Sequence, residues 1–160
     1  MSLRIGHGLD AHRLVEGRPL MLGCVHIAHD RGLAGHSDGD ALAHALGDAL
    51  LGAAGLGDMG RHFPSTDERW RGASGGDLLG AVAGMIRERG LRVVSAQAVA
   101  VAQEPRLAGY VDAMAVACAA ALGIDRAALQ ITATTSDGMG FTGRGEGIAV
   151  SAVALLDNVH

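Results

Sequence analysis

The strand predicted near the end of the chain, residues 147–156, carries apolar side chains on both of its faces. Alternate residues of a strand point to opposite faces. The two faces are, respectively, Ile148, Val150, Ala152 and Ala154, and Ala149, Val153 and Leu155. A strand of this kind is buried on both sides. Helices can cover one face of its sheet, and another copy of the chain is the simplest cover for the other. We therefore predict a homo-oligomer.

Hydrophobic periodicity and glycine or proline breaks predict the remaining elements. The predicted strands are 3–14, 19–23, 91–103, 129–135 and 147–156, and the predicted helices are 39–54, 75–89 and 107–122. Strands and helices alternate only in part, which favours an α+β fold in one domain, residues 1–160. We expect one mostly four-stranded sheet with helices on one face. The long loop 58–72 is more typical of a functional segment than of a connection.

Composition argues against nucleic-acid and membrane partners. The net charge is −4, there is no lysine, and aromatic residues make up 2% of the chain. Nucleic-acid binders are more often basic and use aromatic platforms. No apolar run approaches the ~20 residues of a membrane helix. All fixed positive charge is arginine, whose planar guanidinium suits a bidentate grip on phosphate.

The cysteines, Cys24 and Cys118, are far apart in the sequence and form no CxxC motif. This spacing is typical of two reduced, buried thiols. The N-terminus shows no signal-peptide pattern, because Arg4 is followed closely by polar residues. We expect a cytoplasmic protein.

Three residues can form a metal site. Asp10 and His12 lie two apart on the first strand and therefore point the same way. His44 falls opposite the apolar stripe of the helix 39–54, with Asp40 and Asp48 one turn away on either side. One oxygen and two nitrogens make a three-ligand zinc set with one open position, and Asp48 can orient His44. The alternatives are a surface ion pair and a solvated helix face, since spacing alone does not bring the three together.

Two loops carry groups that suit phosphate. His36 and Ser37 precede a helix, whose free N–H groups favour an anion, and Ser37 with Asp40 resembles a capping box. The loop 134–137 offers three hydroxyls and a carboxylate, and the carboxylate suits a hard metal ion. The glycine-rich segment 141–147 lacks the lysine motif of a P-loop, so a tight turn is the simpler interpretation.

These segments occur in an order that resembles the 2-C-methyl-D-erythritol 2,4-cyclodiphosphate synthase family. The matching pieces are RIGHGLDAHRL (4–14), GHSDGDALAHALGDALLGAAGLGDMGRHFPSTD (35–67), AQEPRL (102–107) and TATTSDGMGFTGRGEGIA (132–149). The resemblance spans nearly the whole chain. It implies a single catalytic domain and a homotrimer with active sites between neighbouring subunits.

The resemblance also implies the chemistry. The 2-phosphate of 4-diphosphocytidyl-2-C-methyl-D-erythritol 2-phosphate attacks its own β-phosphorus, CMP leaves, and the cyclic diphosphate forms as an isoprenoid precursor of the non-mevalonate pathway. Zn²⁺, or another divalent transition metal, would bind Asp10, His12 and His44, and Mg²⁺ or Mn²⁺ would bind Asp137. His36 and Thr135 would act catalytically at the phosphates.

The substrate contacts implied by the resemblance form three groups. On the phosphates and the methylerythritol they are Asp10, His12, His36, Ser37, Asp58, Met59, Gly60, Phe63, Pro64, Ser65, Thr66 and Asp67. At the cytidine they are Ala102, Gln103, Glu104, Pro105, Arg106, Leu107, Ala108, Thr134 and Thr135. The remaining residues are Ser136, Asp137, Phe141 and Arg144.

The chain departs from the family pattern at four positions. Asp137 stands where the family usually has Glu, Arg106 where Lys is frequent, Ser65 where Asp is common, and Leu9 where Phe is common. With Phe141, Arg144 and Glu146, the Leu9 region can form an apolar pocket with a charged mouth at the trimer axis. An isoprenoid diphosphate would suit that pocket.

Two alternative functions remain open at this point. A zinc phosphohydrolase acting on a nucleotide diphosphate would release linear products. A trimeric metal- or isoprenoid-binding scaffold would bind CDP without turnover, and Asp137 is the residue whose change could signal such a loss.

Overall fold

Strands from both ends of the chain form one five-stranded sheet in the computed structural model, which describes residues 2–159. In chain order the strands are β1 Arg4–Glu16, β2 Leu20–Leu22, β3 Val25–Ile27, β4 Arg31–Leu33, β5 Leu91–Val101, β6 Leu129–Thr134 and β7 Gly147–Asn158. The helices are α1 Ala41–Ala54, α2 Met59–His62, α3 Gly75–Glu88, α4 Val111–Leu122 and α5 Gly140–Gly143, with 3₁₀ turns at Glu68–Trp70 and Arg126–Ala128.

The sheet order is β4-β1-β7-β5-β6, and β2 pairs with β3 in a separate two-stranded sheet. β7 is central and runs antiparallel to β1 and to β5, while β5 and β6 are parallel. Register pairs Asp10 with Val150 and Val150 with Ala100. Asp10 on β1 therefore lies at the level of Ala100 on β5, across β7, close to the end at which β5 and β6 lead into the loops 102–108 and 134–139.

The α+β class is confirmed, but the expected four-stranded sheet is wrong. β1 continues to Glu16, two residues beyond its predicted end, and β4 pairs with that extension from Leu14↔Leu33 to Glu16↔Arg31. A strand of three residues is too short to show a period-2 pattern, so the sequence did not reveal it.

The helix boundaries differ most at α4, which begins at Val111 and not near 107. Residues 107–110 form a turn in which the Tyr110 N–H donates to the Leu107 carbonyl. The loop predicted at 58–72 contains α2 and the turn Glu68–Trp70. α1 and α3 match their predicted spans to within two residues.

Helix α1 packs directly on the backbone of β1 because β1 carries glycines at the contact. A Cβ at Gly6 would collide with the Ala49 carbonyl, and a Cβ at Gly8 would collide with the Ala45 carbonyl. The absence of these two side chains lets the helix approach the strand closely. His44 on α1 is thus brought next to Asp10 on β1.

The two faces of the sheet differ in burial. On β7, Ile148, Val150 and Ala154 are fully buried beneath the helices. The opposite face leaves Ile5 74% exposed, Leu9 69% and Val153 40%. Large apolar side chains grouped on one sheet face mark an interaction surface. We name Ile5, Leu9 and Val153 the open sheet face.

Within residues 2–159, no helix has the length and apolar character needed to cross a membrane.

Candidate metal centre and active site

The three residues predicted as metal ligands lie together. One ligand atom from each of Asp10, His12 and His44 lies within 4.8 Å of the other two. Asp10 Oδ2 is 2.7 Å from His12 Nε2 and 3.4 Å from His44 Nδ1. The three side chains are 18–23% exposed, so they are shielded yet open to solvent on one side. We call them the metal triad.

Each imidazole of the triad is held by an outer partner at its second nitrogen. His12 Nδ1 lies 2.5 Å from the Ala34 carbonyl oxygen. His44 Nε2 lies 3.1 Å from Ser37 Oγ. Such outer contacts fix the orientation of metal-binding imidazoles and leave the other nitrogen for the ion.

The donor set fits a catalytic zinc ion. Zinc takes imidazole nitrogen and carboxylate oxygen, and its bonds of about 2.0–2.2 Å place tetrahedral ligand atoms about 3.3 Å apart. The Asp10–His44 separation of 3.4 Å matches this spacing. The shorter Asp10–His12 contact is a hydrogen bond, which zinc would replace. Three protein ligands leave a coordination position for substrate or water.

Electrostatic interactions within the triad favour the ion pair in which Asp10 is ionised and His12 is protonated. Burial alone would raise the pKa of Asp10, but hydrogen bonds from His12 and His44 lower it to about 2. The hydrogen bond to Asp10 raises the pKa of His12 above its usual value, and burial opposes this only in part. The triad is therefore an anionic oxygen held between two imidazoles.

Asp40 does not lie on the His44 face of the helix as expected, and it is not the distal member of a capping box. It is fully buried, it is the N-cap of α1, and its carboxylate accepts from the Leu42 and Ala43 N–H groups. The same carboxylate accepts from Gly23 at 2.9 Å and Cys24 at 2.7 Å. Asp40 thus fixes the start of the helix that carries His44.

Asp48 was expected to orient His44, and this expectation is wrong. Its Oδ1 accepts from the Met59 N–H at 2.7 Å, so it anchors the start of α2. The influence of His44 on Asp48 is electrostatic. The hydrogen-bond partner of His44 on the outer side is Ser37.

A cavity of about 260 Å³ opens beside the metal triad. We call it the main cavity because it contains the triad histidines, although a cavity between α3, β5 and the end of α4 is larger, at about 510 Å³. Its lining residues are His12, His36, Ser37, His44, Met59, Gly60, Phe63, Ser65, Trp70 and Leu78. The lining combines the polar His36 and Ser37 beside the triad histidines with apolar side chains such as Met59 and Phe63. A phosphate and a short carbon skeleton can therefore be bound side by side.

The loop that carries His36 and Ser37 is fixed from both sides. The Arg18 guanidinium donates to the Gly35 and Ser37 carbonyls, both at 2.8 Å. His36 Nε2 lies 3.0 Å from the Asp67 carbonyl oxygen, which ties this loop to the segment 58–72.

Several predicted contacts of the segment 58–72 have structural partners of their own. Asp58 caps α2 by accepting from the Arg61 N–H, and Asp67 forms an ion pair with Arg69 at 2.7 Å. The Pro64 carbonyl accepts from the Asp67 N–H. Thr66 is exposed and does not line the main cavity.

Trp70 and Leu78 line the main cavity, and the sequence analysis missed both. The Trp70 ring packs edge-on against Phe63 with 4.8 Å between ring centroids. The signal available was that Trp70 is the single tryptophan of the chain and follows the loop of Phe63. Leu78 reads in sequence as an ordinary core leucine of α3.

A second cavity of about 160 Å³ lies at the ends of β5 and β6. Its lining residues are Ala102, Gln103, Arg106, Leu107, Ala108, Ala133, Thr134 and Thr135. These are largely the residues expected at the cytidine. Glu104 and Pro105 belong to the same loop but do not line this cavity.

The loop after β6 is ordered by its own hydroxyls. Ser136 Oγ lies 2.6 Å from Thr142 Oγ1 and donates to the Met139 carbonyl. Thr135 Oγ1 lies 3.3 Å from Asp137 Oδ1, and the Gly138 N–H donates to Gln103 Oε1. Ser136 is occupied within the loop, while Thr134, Thr135 and Asp137 are exposed.

Phe141 and Glu146 line a third cavity of about 190 Å³, together with Ala11, His12, Arg13 and Gly147. Arg144 forms an ion pair with Glu146 at 3.2 Å beside it. Leu9 is not among the lining residues and lies on the open sheet face.

Comparison with known proteins agrees with this geometry. Residues 3–157 match the model of the YgbB family. A 2-C-methyl-D-erythritol 2,4-cyclodiphosphate synthase from Moorella thermoacetica is 55% identical over 154 residues, which are 96% of this chain and 94% of that protein. The synthase from Laribacter hongkongensis is 54% identical over 99% of this chain and 98% of its own.

Solved structures give the same result. A 2-C-methyl-D-erythritol 2,4-cyclodiphosphate synthase in a form bound to CDP superposes with a TM-score of 0.87 at 39% identity, covering 96% of this chain and 100% of that one. The identity, the coverage and the intact metal triad lead to one conclusion. The chain belongs to the YgbB family, that of the 2-C-methyl-D-erythritol 2,4-cyclodiphosphate synthases.

Proposed function

We propose that this chain is a phosphorus–oxygen lyase that converts 4-diphosphocytidyl-2-C-methyl-D-erythritol 2-phosphate into 2-C-methyl-D-erythritol 2,4-cyclodiphosphate and CMP. The observation that carries the proposal is the metal triad at the edge of the main cavity. The reaction serves isoprenoid precursor synthesis by the non-mevalonate pathway. Residues 1–160 act as one catalytic domain.

The two reacting groups belong to one molecule, so the protein has mainly to position them and to neutralise charge. Zn²⁺ on Asp10, His12 and His44 and Mg²⁺ or Mn²⁺ at Asp137 would supply that neutralisation at the diphosphate. His36 and Ser37, held by Arg18 and Asp67, supply fixed polar groups at the phosphates. The 2-phosphate is an anion and needs no strong base to become a nucleophile.

The carbon skeleton of the substrate fits the apolar wall of the main cavity. The large apolar and aromatic residues that line the cavity are Met59, Phe63, Trp70 and Leu78. This wall excludes water, which otherwise competes with the 2-phosphate for the β-phosphorus. Cyclisation, and not hydrolysis, is the expected outcome for that reason.

The cytidine half of the substrate occupies the second cavity. The loop after β5 and the residues Thr134 and Thr135 after β6 line this cavity. The solved synthase with CDP bound supports a cytidine diphosphate ligand. Arg106 at the rim adds a fixed positive charge close to the diphosphate.

We place the active sites between the subunits of a homotrimer. The apolar residues of the open sheet face, Ile5, Leu9 and Val153, support burial against other copies. Replacement of Leu9 by Asp would break such an interface, and the molar mass in solution would then fall to that of one chain. An unchanged mass would contradict this arrangement. The cytoplasmic location stays a prediction, supported by two free thiols.

The direct test incubates the purified chain with substrate, Zn²⁺ and Mg²⁺ and follows phosphorus by NMR. Cyclic diphosphate and CMP in equal amounts support the cyclase. Linear diphosphate products would mean a phosphohydrolase. Tight binding of CDP without any product would mean a scaffold that has lost turnover.

The third cavity favours a second ligand, an isoprenoid diphosphate. Phe141 and Ala11 give the cavity apolar walls, and Arg144 stands beside it with an exposed guanidinium. Farnesyl diphosphate should raise the melting temperature of the wild-type chain but not of Arg144→Ala. The absence of a shift at saturating ligand would overturn this assignment.

A further inference from the structure

Two cysteine thiols lie against each other outside the metal centre. Cys24 occupies the turn between β2 and β3, and Cys118 lies within α4. Their sulfur atoms are 3.7 Å apart although 94 positions separate them in the sequence. Both are free thiols, Cys118 is buried, and Cys24 is only half-buried. Their spacing in the sequence gave no sign of this contact.

The backbone holds Cys24 in an unusual conformation. Its φ is 61°, in the left-handed region that favours glycine. The conformation is fixed by the Cys24 N–H, which donates to Asp40 Oδ2 at 2.7 Å. Glycine would adopt this backbone conformation at a lower free-energy cost than cysteine. The position nevertheless carries a side chain, and its sulfur contacts that of Cys118.

Cys24 is the more accessible of the two thiols. A Cβ placed on Gly76 would lie 3.9 Å from this sulfur, so the sulfur sits beside the second residue of α3. Because oxidation of a cysteine depends on access, the half-buried Cys24 is the thiol that an oxidant reaches first.

Cys118 has the opposite character. Its S–H donates to the Cys24 sulfur. That hydrogen bond and burial in the core raise the pKa of Cys118 above its ordinary value. Cys118 thus stays a protonated thiol with no exposed surface, in contact with the half-buried Cys24.

We propose that Cys24 and Cys118 form an oxidisable dithiol, in which the Cys24 sulfur attacks a hydroperoxide and Cys118 then closes an intramolecular disulfide. The Cys24 thiolate displaces hydroxide from hydrogen peroxide and becomes a sulfenic acid. The Cys118 sulfur then attacks the Cys24 sulfur, and the sulfenic oxygen leaves with the Cys118 proton as water. Two thiols and one peroxide give one disulfide and two waters.

The cross-link joins the β2–β3 hairpin to α4. Closure requires the sulfur atoms to approach from 3.7 Å to the ~2.05 Å of a disulfide. Gly23 and Cys24 at this turn are the outer donors to Asp40, the N-cap of α1. The oxidation state of the dithiol is therefore linked through Asp40 to the helix that carries His44.

The test treats the folded, metal-loaded wild-type chain with hydrogen peroxide and then alkylates it with iodoacetamide under denaturing conditions. We expect both cysteines to escape alkylation, the intact mass to fall by two hydrogen atoms, and dithiothreitol to reverse both effects. Digestion without reductant should yield one peptide pair containing Cys24 and Cys118. Oxygen added to Cys24 while Cys118 stays alkylatable, or cross-links between chains, would overturn the proposal.

Two variants separate the roles of the thiols. Cys24→Gly suits the left-handed backbone and preserves the fold, and its Cys118 should react with peroxide at least about tenfold more slowly than in the wild type. In Cys118→Ala, peroxide should add oxygen to Cys24 without a change in rate. An unchanged rate at Cys118 in Cys24→Gly would show that Cys24 is not the site of entry.

Discussion

Asp10 Oδ2 lies 2.7 Å from His12 Nε2, and this contact sets the properties of the metal triad before any ion binds. It pairs a carboxylate whose pKa is lowered to about 2 with an imidazole whose pKa is raised. The ligands are thus preassembled by their mutual charge. A metal ion has to displace the proton that they share.

The first prediction concerns the stability of the metal-free chain as a function of pH. Because folding lowers the pKa of Asp10, the stability that its carboxylate contributes is fully present above pH 3.8. That stability is lost as the pH falls towards 2. Because folding raises the pKa of His12, the stability that its imidazole contributes is fully present below pH 6.5. That stability is lost as the pH rises through the pKa of His12 in the folded chain. The melting temperature in chelator should therefore be highest between these limits.

The control for this profile is Asp10→Asn, which removes the charge and keeps the shape. Its melting temperature should vary less at both ends of the pH range. In the wild type, the increase in melting temperature caused by Zn²⁺ should grow with pH, because zinc needs neutral imidazoles. Identical profiles for the wild type and Asp10→Asn would contradict the ion pair.

The second prediction separates ligands from outer partners. His44→Ala should weaken zinc binding beyond the ~10–100-fold expected for Ser37→Ala, because only the former removes a ligand. His26→Ala is the matched control, since His26 is exposed on β3, and it should bind zinc as the wild type does. Competition with a chromophoric chelator gives the affinities. Wild-type affinity in His44→Ala would remove His44 from the site.

The third prediction concerns the N-cap of α1. Asp40→Ala leaves four N–H groups without their acceptor, those of Gly23, Cys24, Leu42 and Ala43. Each such buried group costs about 1–3 kcal/mol, so the free energy of unfolding should fall by several kcal/mol or the fold should be lost. Ser74→Ala, which removes the cap of α3, should cost only about 1 kcal/mol. Equal losses in urea unfolding would contradict this role.

Sequence periodicity predicted the parts of the fold that are long and regular. The phase of β1 placed Asp10 and His12 on one face, and the phase of α1 turned His44 away from the apolar stripe. Both phases hold because a strand of 13 residues and a helix of 14 repeat their pattern several times. The close approach of the two elements depends on Gly6 and Gly8, which the sequence does not distinguish from turn glycines.

The failures have a common physical origin. Asp40 was assigned to the His44 face from helix periodicity, which does not reveal hydrogen-bond donors in other segments. Its carboxylate in fact accepts from the N–H groups of Gly23 and Cys24 in the β2–β3 turn. Trp70 reaches the main cavity through its contact with Phe63. Both of these site errors concern a side chain with partners in a segment that no local pattern links to it.

The fourth prediction tests the second metal position. Asp137 is exposed in the loop after β6 with φ of 53°, so its carboxylate, which also contacts Thr135 Oγ1 at 3.3 Å, can meet a metal ion from solvent. Asp137→Ala would remove a metal ligand at the diphosphate and with it several kcal/mol of charge stabilisation. Its kcat should therefore fall at least about 100-fold. Asp137→Glu should retain activity because the longer carboxylate reaches the same ion.

Asp112→Ala is the control for nonspecific loss of negative charge, since the Asp112 side chain is 95% exposed on α4. It should leave kcat unchanged. The Mg²⁺ concentration for half-maximal rate should rise only in Asp137→Ala. Full activity of Asp137→Ala at low Mg²⁺ would exclude Asp137 as the ligand.

The last prediction concerns the contact between α1 and β1. An added methyl at Gly8 collides with the Ala45 carbonyl, and backbone of a packed helix cannot yield as a side-chain end does. Overpacking of a core costs about 1–3 kcal/mol where side chains can adjust. Gly8→Ala should therefore lower the free energy of unfolding by more than this range. Because the displaced α1 carries His44, zinc affinity should fall together with the free energy of unfolding.

Gly52→Ala is the matched control on the same helix. A Cβ at Gly52 meets no atom within 4 Å, and the residue is exposed in α1. Alanine should stabilise the helix by about 0.5–1 kcal/mol relative to glycine and leave zinc affinity unchanged. Urea unfolding in chelator, followed by zinc titration of each variant, gives both quantities. If Gly8→Ala unfolded at the wild-type urea concentration and kept its zinc, close packing of α1 on β1 would not be what assembles the metal triad.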